Sequence, residues 1–192
     1  MNTPNADTAN THARTRNRWM LLGVVALFAA PILIALALNL SGWRPAGTRA
    51  YGTLIDPPRD VSAAPVALAD GGKLAWRNAQ WQWTLIALPG TNCAMQCQAA
   101  LGDVLRMRAT LGRNAERLRV IYLGPALPSS TLVALVPLQS GSDETGTFAE
   151  WRAKGDDALA LVLVDPSGYL MLNYAQDFDV AGIRRDLPKV IN

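Results

Sequence analysis

Histidine is almost absent from this sequence of 192 residues, and its one copy, His12, lies near the start of the chain. A catalytic Ser-His or Cys-His pair, a histidine-ligated zinc site and a histidine proton shuttle all need an imidazole. No phosphate-binding P-loop, dinucleotide-binding glycine motif or zinc-protease motif is present either. The sites that need an imidazole are therefore excluded from any part of the protein that His12 cannot reach.

Charge is also scarce, since only 17% of the residues are Asp, Glu, Lys or Arg. Residues 44–192 carry 15 Lys and Arg against 14 Asp and Glu, so this part is close to neutral. No run of basic residues alternates with aromatic residues there, which argues against nucleic-acid binding. The acidic residues Asp143, Glu144, Asp156 and Asp157 lie among turn-forming residues, and we interpret them as solvated surface.

Residues 19–43 contain no charged side chain at all and are nearly all apolar. About 20 apolar residues in a helix cross a hydrocarbon core of about 30 Å. Trp19 and Trp43 suit the two membrane interfaces, and a membrane helix tolerates Pro31. We therefore predict a transmembrane anchor over 19–43. The alternative is a cleaved signal peptide, whose apolar region is usually only about 7–15 residues long.

Three arginines, at positions 14, 16 and 18, precede the apolar segment. Basic residues beside a span stay in the cytoplasm, so residues 1–18 are predicted to form a cytoplasmic tail. The rest of the chain then lies outside, in the oxidising periplasm of a bacterium whose inner membrane holds the anchor. His12 is thereby separated from the exported part by the bilayer.

The exported part begins with a stretch rich in proline and glycine, residues 44–65, which predicts an extended tether. One domain over residues 66–192 follows. Within it, the continuous apolar runs 83–88 and 118–123 predict buried strands, and an amphipathic helix over 96–111 lies between them. Strand, helix and strand in this order predict a parallel pair with a right-handed crossover.

The end of the chain shows three further patterns. Residues 159–164 and 169–174 are apolar runs joined by a turn, which predicts an antiparallel hairpin. Thr147 to Glu150 fits a capping box that opens a short helix. Asp179 is predicted to cap a terminal helix.

The two cysteines of the chain, Cys93 and Cys97, lie between the first buried strand and the helix. We place Cys93 in the loop and Cys97 in the first helical turn. There the helix dipole and free amides favour a thiolate, which both thiol exchange and Cu(I) binding require. A purely structural disulfide is the simpler alternative, although a bridge across so short a loop stabilises only weakly.

The strand followed by Gly-Thr-Asn-Cys-x-x-x-Cys, the hairpin turn 165–168 and the ending 183–187 resemble the Sco/SenC family. Its members are membrane-anchored proteins that deliver copper during cytochrome c oxidase assembly. The resemblance implies an α/β, thioredoxin-like domain, with a central mixed sheet flanked by helices. It also implies Cu(I) as the cargo of Cys93 and Cys97, with a cytochrome c oxidase subunit or other assembly factors as partners.

Two positions depart from the family pattern. Gln98 stands where the family has a proline after the second cysteine. The family's third copper ligand is a histidine, and its position falls at about Asp157. The resemblance therefore implies copper ligation by Cys93 and Cys97. The candidates for a further ligand are Met95, which is a soft donor, and Asp157, whose hard carboxylate suits Cu(I) poorly.

Three functions remain open at this point. The first is an oxidase assembly factor that holds Cu(I) or keeps copper-site thiols reduced through the cysteine pair. The second is a periplasmic thiol-disulfide oxidoreductase in which Cys93 attacks and Cys97 resolves. The third is a protein without chemistry of its own that docks on an oxidase subunit and uses the cysteines to brace a loop.

Overall fold

The computed structural model describes residues 6–41 and 50–191. The chain divides into two compact units, residues 1–47 and 48–192. Residues 42–49 include the end of the predicted anchor and the start of the predicted tether, and they lie outside the described residues, as does the start of the predicted cytoplasmic tail.

The first unit contains one long helix, α1 (Ala6–Leu40). Its segment Trp19–Leu40 has 22 residues with a mean hydropathy of 2.8. Large apolar side chains such as Leu27, which is 72% exposed, lie on the surface of this helix. The length and composition of the segment suit a membrane anchor, and they also suit a signal sequence near the N-terminus.

The second unit is built on one sheet of seven strands. In chain order they are β1 (Thr53–Asp60), β2 (Val66–Leu68), β3 (Trp83–Pro89), β4 (Leu118–Leu123), β5 (Gln139–Asp143), β6 (Leu159–Val164) and β7 (Tyr169–Tyr174). Their order across the sheet is β1-β7-β6-β3-β4-β5-β2. Strands β3, β4 and β5 run parallel, and the other neighbouring pairs are antiparallel. The expected α/β class with a mixed sheet is confirmed.

Three helices accompany the sheet: α2 (Met95–Ala109), α3 (Ser129–Ala134) and α4 (Val180–Val190). Helix α2 connects β3 to the parallel strand β4, which confirms the predicted strand-helix-strand unit. The predicted hairpin is also present, as β6 paired with β7. The predicted cap of the last helix is confirmed because the Asp179 carboxylate accepts a hydrogen bond of 2.9 Å from the Ala181 amide.

Strand β3 is buried on both faces, as its continuous apolar run predicts. Leu85 and Ala87 belong to the core cluster that includes residues of α2 and α4. Ile86 and Leu88 belong to the cluster on the other face, with Phe148. Because strand residues alternate between faces, β3 fixes both halves of the core and holds the loop that follows it.

The prediction of a tether over 44–65 is wrong for β1. This strand pairs with β7 at one edge of the sheet, with Thr53 opposite Asn173. Seven of its eight side chains are exposed, so no alternating apolar pattern marks it in the sequence. Its register is irregular between Leu54 and Arg59, the stretch that contains the two prolines. The strand is therefore specified by its partner and not by its own sequence.

The predicted capping box at Thr147 does not form. Residues Ala149–Trp151 make only a short 3-10 turn. The amides of Thr147 and Phe148 donate instead to the carboxylate of Asp143, at 3.1 and 2.9 Å. An acidic residue that we assigned to solvated surface therefore orders this turn.

Candidate functional site

The cysteine loop, residues 90–94, joins the end of β3 to the start of α2. Cys93 lies in this loop and Cys97 in the first turn of α2, as predicted. The two residues form a disulfide, with their Cα atoms 5.0 Å apart. The pair is therefore in its oxidised state, at the carboxyl end of a central strand.

The two cysteine residues differ slightly in exposure. Cys97 is 1% exposed and Cys93 is 7% exposed, and both belong to the core cluster on the helix side of the sheet. The buried side chains of Leu101 and Leu127 are in the same cluster. Both cysteines are therefore nearly enclosed, and Cys93 is slightly the more exposed of the two.

Asp157 caps the helix that carries Cys97. Its carboxylate accepts hydrogen bonds from the amides of Ala94 at 2.7 Å, Gln96 at 2.9 Å and Cys97 at 3.0 Å. The N-cap position of α2, Ala94, has no side chain that can cap the helix itself. The amides of Cys97 and Gln96, and to a lesser extent that of Ala94, hold the pKa of the Asp157 carboxyl below its usual value, while burial acts in the opposite direction.

This position was predicted only by counting from the hairpin, and the structure brings it to the cysteine pair. Asp157 is more than a solvated surface residue, because it is half-buried and its carboxylate accepts hydrogen bonds from three amides. One sequence signal was missed. A helix that begins at Ala94 and Met95 without a local capping residue needs hydrogen-bond acceptors from another part of the chain.

The loop that carries Asp157, residues 153–158, is hereafter the facing loop. The Gly90 amide donates to the Ala158 carbonyl at 3.0 Å, and the Thr91 amide donates to the Gly155 carbonyl at 3.2 Å. A Cβ on Gly90 would lie 2.0 Å from the Gly155 carbonyl oxygen, so only glycine fits there. The two loops are thus held together by backbone contacts as well as by Asp157.

Gln98, which departs from the family pattern, also contributes to the site. Its side-chain amide donates to the Cys93 carbonyl at 3.0 Å, and its side-chain oxygen accepts from the Thr131 hydroxyl at 3.2 Å. These bonds connect the cysteine loop to the start of α3. A proline at position 98 would have neither bond.

The other predicted metal ligand, Met95, has a side chain that is 83% exposed. Within the described part of the chain, no group of three His, Cys, Asp or Glu residues is placed to hold a metal ion. The two cysteine sulfurs are soft donors and would fit Cu(I) once reduced. Both oxygens of the Asp157 carboxylate accept hydrogen bonds from α2 in this structure.

A cleft of about 380 Å³ opens beside Cys97, between α2 and the segment that precedes α4. Its lining includes four carboxylates and the ring of Phe178. The carboxylates belong to Asp103, Asp156, Asp157 and Asp177. The approach to the cysteine pair from this side is therefore negatively charged.

Comparison with known proteins agrees with this architecture. Residues 83–192 match the family model for the transmembrane-like, thioredoxin-like, C-terminal domain, which covers more than half of the chain. No curated protein matches the sequence.

Three solved structures are similar to this chain. The apo Sco1 protein from Thermus thermophilus is 20% identical, with a TM-score of 0.52 over 76% of this chain and 99% of its own. A thioredoxin-like protein from Aeropyrum pernix is 11% identical, with a TM-score of 0.51 over 67% and 90%. The bacterioferritin comigratory protein of Xanthomonas campestris is 12% identical, with a TM-score of 0.49 over 73% and 96%. At these identities the first two show a shared thioredoxin-like fold.

Proposed function

The chain belongs to the transmembrane-like, thioredoxin-like C-terminal domain family, and on that premise we propose that it is a Sco-like assembly factor for cytochrome c oxidase. It keeps the copper-site thiols of an oxidase subunit or of another assembly factor reduced. The observation that carries the proposal is the disulfide between Cys93 and Cys97 at the start of α2, with Cys93 the more exposed of the two.

The exchange runs in two steps. The thiolate of reduced Cys93 attacks one sulfur of the partner's disulfide, forms a mixed disulfide and releases the first partner thiolate. Cys97 then attacks the Cys93 sulfur, which releases the second partner thiolate and gives the Cys93–Cys97 disulfide. Two electrons pass to the partner, whose two thiolates take up two protons. A dithiol reductant outside the membrane must restore the pair.

The setting follows from the apolar segment of α1. As a membrane anchor in the bacterial inner membrane, with the arginines before it in the cytoplasm, Trp19–Leu40 would keep the second unit in the periplasm. Disulfides form there, so a copper site with two cysteines needs a protein that reduces it. The same anchor would keep the factor close to a membrane-bound oxidase.

Cu(I) binding by the same pair is the second candidate, because two soft sulfurs lie together and the fold is shared with Sco1 of Thermus thermophilus. Reduced Cys93 and Cys97 would hold the ion as cargo. Titration of the reduced full chain in detergent with Cu(I), against a chromophoric chelator, tests this candidate. If the chain competes with the chelator for Cu(I) no better than a Cys93→Ser, Cys97→Ser double variant does, Cu(I) binding by the pair is ruled out.

Trapping the mixed disulfide tests thiol exchange directly. The probe is the copper-binding domain of an oxidase subunit whose site cysteines have been oxidised to a disulfide. It is mixed with the reduced full chain in detergent, as Cys97→Ser or as Cys93→Ser. We expect a mixed disulfide on non-reducing gels with Cys97→Ser, at least about tenfold more than with Cys93→Ser, because the resolving cysteine is then absent.

The other functions predict different results. A general thiol-disulfide oxidoreductase would reduce oxidised glutathione as fast as it reduces the oxidase domain. A protein that only docks would give no mixed disulfide with either variant, and cells with the double variant would assemble oxidase normally. Either result overturns the proposal.

A further inference from the structure

The first turn of α2 has four amides without a helical acceptor, those of residues 94 to 97, because the Gln98 amide is the first to bond within the helix, to the Ala94 carbonyl. Three of the four donate to the carboxylate of Asp157. The donors at the start of the helix are therefore occupied by an anion from the facing loop.

Such amides normally stabilise the reduced state of a cysteine at a helix N-terminus. They carry the positive end of the helix dipole, so they favour a thiolate over a neutral sulfur. Here the carboxylate of Asp157 occupies these amide donors and adds a negative charge next to Cys97. Both effects disfavour a charged sulfur, and neither affects the uncharged disulfide.

We propose that Asp157 is a positioning residue that sets the reduction potential of the Cys93–Cys97 pair and makes the pair a stronger reductant. This inference rests on the proposed thiol exchange. It sets the direction of electron transfer, because a dithiol that is unstable relative to its disulfide passes electrons to a partner. It also assigns Asp157 a role other than metal ligation, since both of its oxygens accept backbone hydrogen bonds.

The equilibrium that measures this property is exchange with glutathione. One Cys93–Cys97 disulfide and two molecules of reduced glutathione give two cysteine thiols and one oxidised glutathione, with two electrons and two protons transferred. At about pH 8 a substantial fraction of a reduced cysteine is thiolate, so the charge of Asp157 affects this equilibrium.

The test compares the full chain in detergent with three variants, in glutathione buffers at about pH 8. Asp157→Asn removes the charge but keeps one side-chain oxygen. That oxygen can still accept hydrogen bonds from the amides of Ala94 and Cys97, which both donate to Oδ1 of Asp157. Asp157→Ser is a second neutral capping residue, in case the asparagine variant does not fold. Asp156→Asn is the matched control, because Asp156 lies in the same loop with an exposed side chain.

We expect the equilibrium constant to shift about tenfold towards the dithiol in Asp157→Asn, which is about 30 mV for a two-electron couple. We expect less than a twofold shift in Asp156→Asn. A purely structural cap would lower the thermal midpoint without shifting the constant.

The outcomes separate the two proposals. If Asp157→Asn and Asp157→Ser stay within twofold of the wild type while all of them exchange with glutathione, the inference is wrong and thiol exchange stands. If the constant shifts equally in Asp156→Asn, general surface charge is responsible and the inference is also wrong. A wild-type disulfide that never exchanges overturns the proposed function and this inference with it.

Discussion

The Asp157 carboxylate lies 3.0 Å from the amide nitrogen of Cys97, a residue sixty positions earlier in the chain. This bond shows that the cysteine site has two halves, a loop after β3 and a facing loop before β6. Neither half is complete alone, because α2 lacks its own capping side chain and Asp157 needs the amides that α2 supplies.

Gly90→Ala should separate the two loops. The added Cβ would meet the Gly155 carbonyl oxygen at 2.0 Å and the Ala153 carbonyl oxygen at 3.1 Å, and both are backbone atoms that cannot rotate away. We expect a loss of about 1–3 kcal/mol in the free energy of unfolding, the usual effect of overpacking. Urea unfolding of the oxidised full chain in detergent, followed by tryptophan fluorescence, measures it.

Gly102→Ala is the matched control, because Gly102 lies inside α2 and its nearest neighbour is the flexible end of Arg106, at 3.5 Å. Alanine should stabilise the helix there by about 0.5–1 kcal/mol. Equal effects of the two substitutions would show that the contact between the loops is not tight.

Reducing the disulfide should change stability only modestly. The bridge closes a loop between residues four apart, and chain entropy gives such a bridge no more than about 2 kcal/mol. We expect a difference of that size or less between unfolding curves with and without dithiothreitol. The Cys93→Ser, Cys97→Ser double variant should show no dependence on the reductant. A much larger loss would mean that the bridge is mainly structural, in favour of the bracing function.

Sequence patterns predicted those strands and helices that can be recognised from their own residues. The continuous apolar runs of β3 and β4 and the periodic helix between them placed Cys93 in a loop and Cys97 in the first helical turn. The apolar runs of β6 and β7 share a short turn, so their pairing was predictable as well. In each case the spacing of the apolar residues within the strand or helix predicts which of its faces is buried.

Two features could not be predicted because their causes are distant in sequence. Strand β1 has mostly exposed side chains, and its pairing is decided by the edge of β7, more than a hundred residues later. Asp157 lies in a loop with no regular pattern, and its role depends on where the chain returns to α2. Local patterns gave no position for this acceptor, and the family resemblance placed Asp157 near the cysteine pair only as a copper ligand and not as the cap of α2.

Gln98→Ala should loosen the cysteine loop. It removes the 3.0 Å bond to the Cys93 carbonyl and the 3.2 Å bond from the Thr131 hydroxyl. We expect a loss of about 0.5–1.5 kcal/mol for the bond to the carbonyl and faster reduction by dithiothreitol. Gln96→Ala is the control, because the Gln96 side chain is exposed. If both variants are reduced at the wild-type rate, Gln98 does not restrain the loop.

Asp186 should make the stability of the domain depend on pH below about 4. It is 2% exposed, and its carboxylate accepts from the amides of Tyr51 at 2.7 Å and Gly52 at 2.9 Å and from the Lys189 ammonium at 3.1 Å. Burial alone would raise the pKa of this carboxyl, but the two amides and Lys189 outweigh it and leave the pKa below its usual value.

A lowered pKa in the folded state stabilises the protein above the unfolded pKa of about 3.9, and the contribution is lost as the pH falls through the folded value. We expect Asp186→Asn to lower the free energy of unfolding by about 1–3 kcal/mol at neutral pH. The wild-type and variant values should converge as the pH falls from about 4 to 2, while Asp156→Asn follows the wild type. Curves that remain parallel across that range would show that Asp186 binds a proton equally well in the folded and unfolded states.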